Sequence, residues 1–240
     1  MDLLAKRVSL VSGGGTGIGR AVALALAEAG AAVCVCGRRP QPLEEVRRSI
    51  EARGAQCLAF PADVSDEAQV GGLIRAAEAA LGPIDILVNN AGIGGGRPIH
   101  EHPVAEWDRV LDVNLRGPFL LARAVLPGMR ARESGHIVNI SSESGLEHYP
   151  GDGAYGVGKH ALNELGEYIQ RENQAFGIRV DTVCPGMVVT EMTENSVGLD
   201  HEKCLDPEDI ADLVLWLVTR RPNIKIGNPI LIQTMLNPWE

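Results

Sequence analysis

The chain has 240 residues, of which 45% are hydrophobic and 22% charged, and its formal net charge is −9. That length can bury one substantial core, and the acidic balance excludes a general electrostatic attraction for nucleic acid or for an anionic membrane surface. The five cysteines, at 34, 36, 57, 184 and 204, are odd in number and lack the paired spacing of a zinc site, so reduced thiols and no metal are expected.

The N-terminus shows no targeting pattern. The most apolar stretch, residues 21–36, is interrupted by Glu28 and Gly30 and is too short to span a bilayer. A soluble cytoplasmic protein is the expectation.

Short apolar runs alternate with helical patterns along the chain. Residues 8–11 read as a strand, followed by a glycine-rich turn and a helix over 18–29. A strand over 32–36, a helix over 42–53, a short strand over 56–60 and a helix over 66–80 come next. Beyond them lie a strand over 84–88, a long helical pattern over 103–131, and a strand over 136–140. The series closes with a helix over 155–176, a strand over 179–183, a helix over 207–219 and a strand over 229–232. Near-continuous apolar strands are those covered on both faces, and their alternation with helices predicts a parallel sheet between two helical layers. The expectation is one α/β domain over 1–240, a Rossmann-type doubly wound sheet.

The first strand runs into Ser12, Gly13, Gly14, Gly15, Thr16, Gly17, Ile18 and Gly19, and a helix of small residues follows at once. Glycines permit a tight turn and let a pyrophosphate approach without meeting a Cβ, while the helix N-terminus offers free N–H groups and partial positive charge. A turn without a ligand is the plainer alternative, but the strand–turn–helix context favours a dinucleotide. An acid at the end of the second strand would bind the ribose 2′-hydroxyl of NAD. This strand instead ends Cys36-Gly37-Arg38-Arg39, and no carboxylate appears before Glu44. Two guanidinium forks suit a 2′-phosphate, so NADP(H) is preferred and NAD(H) left open.

Tyr155 and Lys159 are four residues apart, about one helical turn, and Ser142 lies thirteen before the tyrosine. An ammonium beside a phenol favours phenolate and lowers the tyrosine pKa, while a serine hydroxyl can hold a substrate oxygen. Each residue alone would be an ordinary surface lysine, half-buried tyrosine or turn serine. Together they predict a device for moving a proton to or from a carbonyl oxygen.

With these motifs in order, the chain resembles the short-chain dehydrogenase/reductase family over nearly its whole length. The resemblance implies that Ser12, Gly13, Gly15, Thr16, Gly17, Ile18 and Gly19 form the cofactor turn. It implies that Asp63 and Val64 contact adenine, and that Asn90, Ala91 and Gly92, after Asn89, close over its ribose. It makes Asn114, Ser142, Tyr155 and Lys159 a catalytic tetrad, with Tyr155 and Lys159 also touching the cofactor. Pro185, Gly186, Val188 and Thr190 would hold the nicotinamide amide. Pro118, four residues after Asn114, lacks an N–H and so deprives the Asn114 carbonyl of its helical partner. The resemblance assigns that main chain to a water linked to the lysine. Of the residues before the helix that begins near Asp66, Ser65 is a better candidate cap than Asp63.

Among family members the nearest general resemblance is to 3-oxoacyl-(acyl-carrier-protein) reductases, which implies a reductase using NADPH on a β-keto thioester. The Asp-Gly-Gly segment usual after their last strand is replaced here by Gly227-Asn228-Pro229 and an apolar run. That ending looks more like relatives that reduce small ketones or oxidise hydroxy acids. The loop from Ile93 to Pro98 and the short polar segment 191–205 would shape an open substrate site. The helices over 103–131 and 155–176 would form a homodimer or homotetramer face. A silent nucleotide sensor or scaffold is the alternative of another class, and the intact tetrad argues against it.

Overall fold

The computed structural model describes residues 3–239, and its seven strands form one parallel sheet. They are β1 (Val8–Ser12), β2 (Ala32–Gly37), β3 (Cys57–Pro61), β4 (Ile86–Asn89), β5 (Gly135–Ile140), β6 (Ile178–Pro185) and β7 (Ile230–Ile232), in spatial order β3-β2-β1-β4-β5-β6-β7. The doubly wound parallel sheet expected from the alternating pattern is observed.

The pleat explains why the strands are apolar throughout. On β2, Val33 and Val35 pack in one layer with Leu26 of α1 (Gly17–Glu28), Leu43 of α2 (Pro40–Glu51) and Val214 of α7 (Pro207–Val218). Cys34 and Cys36, pointing the other way, pack in the second layer with Leu73 of α3 (Glu67–Leu81) and Leu121 of α5 (Gly117–Ala131). Successive side chains therefore both meet protein, so neither face calls for polar residues.

Three differences from the sequence expectations have physical causes. The long helix over 103–131 is interrupted: α4 (Val104–Leu111) passes into a wider π-type turn over Asp112–Arg116 before α5 resumes. The Gly117 N–H reaches back to the Asp112 carbonyl, five residues earlier, just ahead of the donorless Pro118. Asn89, one residue past the strand expected over 84–88, is instead the last residue of β4 and buried. Its Nδ2 donates to Asn139 Oδ1 on the neighbouring strand at 2.9 Å, which makes the burial tolerable. Thirdly, α6 (Gly153–Asn173) starts two residues before Tyr155 and tightens into a short 3₁₀ turn over Gln174–Phe176.

The sheet order reverses at β1, which pairs with β2 on one side and β4 on the other. The chain leaves these two neighbours, β1 and β4, in opposite directions at their C-terminal ends. A crevice opens there, the usual ligand position in an open sheet of this kind.

Candidate active site

At the end of β1 the backbone turns through Gly13, whose φ is +63°. A Cβ on Gly13 would lie 2.8 Å from Asn90 Nδ2, and one on Gly19 would overlap both that nitrogen and the Gly13 carbonyl oxygen. These glycines let the start of α1 press against the end of β4. Asn90 fastens the contact by donating from Nδ2 to the carbonyls of Ser12 (2.9 Å) and Gly13 (3.2 Å). Ser12, buried behind the turn, accepts at Oγ from the N–H groups of Asn90 and Ala91, both at 3.0 Å, and donates to the Val88 carbonyl.

A cleft of about 460 Å³ lies over this turn. Gly13, Gly15, Thr16, Gly17 and Ile18 form its base, and Asn90, Ala91 and Gly92 one wall. Arg38, Arg39, Asp63 and Val64 line one end, and Tyr155, Lys159 and Thr190 are also in the lining. Thr16 precedes α1 in extended conformation without capping it, and the first turn of α1 contains no acid. By contrast, Asp66 caps α3 and Asp206 joins a capping box on α7. The first N–H groups of α1 thus have no side-chain acceptor and the helix dipole is unopposed, which fits an anionic group above the turn.

The cap of α3 is Asp66, neither Ser65 nor Asp63, because its Oδ1 accepts from the N–H groups of Ala68 and Gln69. Ser65 instead donates to Asp63 Oδ1 from both its hydroxyl (2.6 Å) and its N–H (2.9 Å). The Ser65 hydroxyl is the first cause holding the Asp63 carboxyl below its usual range, with the Arg38 charge a lesser one. Arg39 forms an ion pair of 2.6 Å with Glu191, from the segment after β6.

At the other end, α6 places Tyr155 and Lys159 on one face. The ammonium lies 5.4 Å from the tyrosine ring centroid and donates to the Ile140 carbonyl at 2.8 Å. Burial lowers the Lys159 pKa to about 8. The expected lowering of the tyrosine pKa is not observed. Tyr155 is pushed up to about 12, first by burial of its hydroxyl end and against the hydrogen bond with Ser142, although the residue as a whole is only half-buried. Lys159 sits over the ring and spends a proton on Ile140, so its charge is not aimed at the phenol oxygen in this arrangement.

Ser142 follows β5 and accepts at Oγ from the Ser144 N–H at 3.1 Å. Asn114, fully buried on the wide turn, bonds both backbone groups of Ile93: Oδ1 accepts from its N–H and Nδ2 donates to its carbonyl, each at 2.9 Å. A side-chain clamp of this kind was not anticipated from the sequence, where only the Asn114 carbonyl drew attention. Pro185 ends β6; the Gly186 N–H donates to Ile232 on the edge strand, and Val188 is buried with its carbonyl held by Thr193. Ser12, Gly19, Asn114, Ser142, Pro185, Gly186 and Val188 therefore support or flank the cleft, whereas Glu191 and Met192, at the start of the segment 191–205 expected to shape the substrate site, line it. No cluster of metal-ligating side chains occurs among the described residues.

The family model described as short chain dehydrogenase matches residues 7–198. The chain belongs to that family. An uncharacterized oxidoreductase of Staphylococcus aureus (strain USA300) is 34% identical over 227 residues, 95% of this chain and 97% of the relative. The crystal structure of a levodione reductase superposes with a TM-score of 0.84 at 33% identity, covering 90% of this chain and 92% of that one. A metagenomic short-chain oxidoreductase in complex with NADP gives a TM-score of 0.83 at 35% identity, with 97% of each chain covered. This short-chain dehydrogenase is accordingly an oxidoreductase, in a family that binds NAD(P)(H). Its glycine turn, uncapped α1 and paired arginines fit such a dinucleotide. No helix among the described residues is long and apolar enough to cross a membrane.

Proposed function

We propose that the protein is an NADP(H)-dependent reductase of small, uncharged ketones. The observation that carries the reading is one continuous cleft, with the glycine turn and two arginines at one end and Tyr155 and Lys159 at the other. A bound dihydronicotinamide supplies the hydride for the carbonyl carbon. Tyr155, held protonated by burial, gives its proton to the carbonyl oxygen as negative charge develops there. The Ser142 hydroxyl donates to the same oxygen. Lys159 lines the same end of the cleft with its ammonium over the Tyr155 ring and on the Ile140 carbonyl, and Asn114 holds the wall at Ile93. Hydride and proton together turn the ketone into an alcohol while the dinucleotide is oxidised.

The mouth beside Tyr155 favours small neutral substrates. Tyr149 donates to Glu143 at 2.8 Å, and its pKa is pushed up to about 12, first by burial, then by that bond, and last by the charges of Glu143, Glu147 and Asp152. A 3-oxoacyl thioester on a phosphopantetheine arm would bring a phosphate past these carboxylates. That makes the acyl-carrier-protein reading the second one. The similarity to a levodione reductase supports the first. A pair of copies meeting through α5 and α6 is part of the proposal, supported by exposed Phe119, Val157 and Tyr168 on those helices.

A substrate panel tests the reading: cyclic and acyclic ketones, hydroxy acids and β-ketoacyl thioesters, each with NADPH and NADH. Ketone turnover with NADPH should dominate, and Tyr155→Phe should lower kcat about 10²- to 10⁴-fold with nearly unchanged NADPH affinity. Preferential thioester turnover would overturn the substrate assignment, and a fully active Tyr155→Phe enzyme the mechanism.

A further inference from the structure

Arg39 and Glu191 are 152 positions apart, yet their side chains meet over the dinucleotide cleft. Arg39 Nη2 lies 2.6 Å from Glu191 Oε2, and the same nitrogen reaches Thr16 Oγ1 at 3.4 Å. Arg39 stands just beyond β2, the place from which an open sheet of this type reads the 2′ substituent of the adenine ribose. Glu191 follows Thr190, whose methyl group would lie 3.1 Å from a Cβ on Gly17. The carboxylate is thereby carried over the turn by a neighbour already packed against it. Arg38 is differently engaged: it faces Asp63 and lines an adjoining hollow with Asp108, Arg109 and Asp112.

We propose that Glu191 tunes the cofactor selectivity of this enzyme by competing with the 2′-phosphate for Arg39. The inference rests on the NADP(H) reading above. A guanidinium bonded to a carboxylate must give up that pair, or share it, to fork onto a phosphate. NAD(H) carries a hydroxyl at that position and leaves the pair undisturbed. The carboxylate therefore subtracts from NADP(H) affinity while sparing NAD(H), and it keeps the ratio between the two smaller than two unopposed arginines would give. The two side chains are 61% and 52% exposed, so water and salt weaken their attraction. An exposed pair of that kind corresponds to about a two- to fivefold effect on binding.

The test uses equilibrium binding, which does not depend on turnover. Adenosine 2′,5′-bisphosphate and 5′-AMP, which differ only in the 2′-phosphate, are titrated calorimetrically into the parent protein, Glu191→Gln, Arg39→Met, Arg38→Met and the double variant at positions 39 and 191. Glu191→Gln should raise the bisphosphate-to-AMP affinity ratio about two- to fivefold. Taking the ratio removes repulsion between Glu191 and the shared 5′-phosphate, and the Arg39→Met background separates direct repulsion of the 2′-phosphate from competition for Arg39. In the Arg39→Met background the same change should leave the ratio where Arg39→Met put it. An unaltered ratio in Glu191→Gln, with Arg38→Met or Arg39→Met still lowering it, overturns the competition and leaves the NADP(H) reading standing. A parent protein that binds the bisphosphate no better than 5′-AMP, with neither arginine variant changing that, overturns both.

Discussion

Replacing Asn114 by alanine removes the clamp on Ile93, and the structure sets the scale of the damage. The amide makes two bonds of 2.9 Å, one to each backbone group of Ile93, from a side chain with no solvent exposure. Each orphaned polar group costs about 1–3 kcal/mol when buried. Ile93 is half-buried, so water recovers part of that cost, and the low end applies. The total is about 2–3 kcal/mol. In a chain of this size each kcal/mol moves Tm by about 2–4 °C, so a fall on the order of 5–10 °C is expected at matched protein concentration.

The loosened Ile93 adjoins the wall formed by Asn90, Ala91 and Gly92, and reordering one residue there costs about 1–2 kcal/mol. NADPH affinity should therefore fall roughly tenfold. Thermal unfolding and a fluorescence titration with NADPH measure the two effects. A Tm within about 2 °C of the parent, together with unchanged affinity, would refute the clamp, since even one orphaned group predicts more.

Lys159→Met should alter the pH dependence of stability. Burial holds the folded lysine near a pKa of about 8, while the unfolded chain keeps that proton until about 10.4. Between those values the unfolded state binds more protons, so rising pH favours the fold at this residue. The parent should gain stability over Lys159→Met from pH 8 to 10 in urea unfolding; parallel profiles would contradict the buried ammonium. Gly19→Ala puts a methyl group into the Gly13 carbonyl and the Asn90 amide, so α1 must shift. A loss of about 1–3 kcal/mol in stability is expected, along with markedly weaker NADPH binding; normal melting and binding would show that the approach is not tight. Asp66→Ala removes the cap of α3 and should cost about 1 kcal/mol without affecting NADPH binding, measured by the same two assays.

Much of the architecture was legible because it depends on local pattern. Strands buried on both faces leave continuous apolar runs, and the glycine turn announces itself between a strand and a helix. Tyr155 and Lys159 share a face of α6 because helical geometry admits nothing else at that spacing. The less legible features depend on who meets whom in space. The pairing of Arg39 with Glu191 joins segments that carry no mutual signal in sequence. Pro118 pointed to a disturbed ladder near Asn114, where the wide turn lies, but the use of the asparagine side chain on Ile93 depends on a contact with the loop after β4. The tyrosine pKa went against expectation for the same reason: spacing brought the lysine near, while burial and the bond to Ile140 decided where its charge acts. Ser12 was read as part of a ligand turn, yet its hydroxyl is spent stitching β1 to β4.

The turn bearing Ser142 is tied to the helix bearing Tyr155 and Lys159 without help from any ligand. Asn163 Nδ2 donates to the Gly145 carbonyl at 2.7 Å, and Ser141 Oγ to the Lys159 carbonyl at 3.2 Å. Ser142, Tyr155 and Lys159 thus belong to a single preassembled block, while the segment bearing Glu191 meets the glycine turn through the packed Thr190 methyl group and the exposed Arg39–Glu191 pair. The first can stay fixed while the second is remodelled. Under the proposed mechanism, a lineage built on this plan can take new carbonyl compounds by redrafting one flank of its cleft, without rebuilding the block that holds the proton donor.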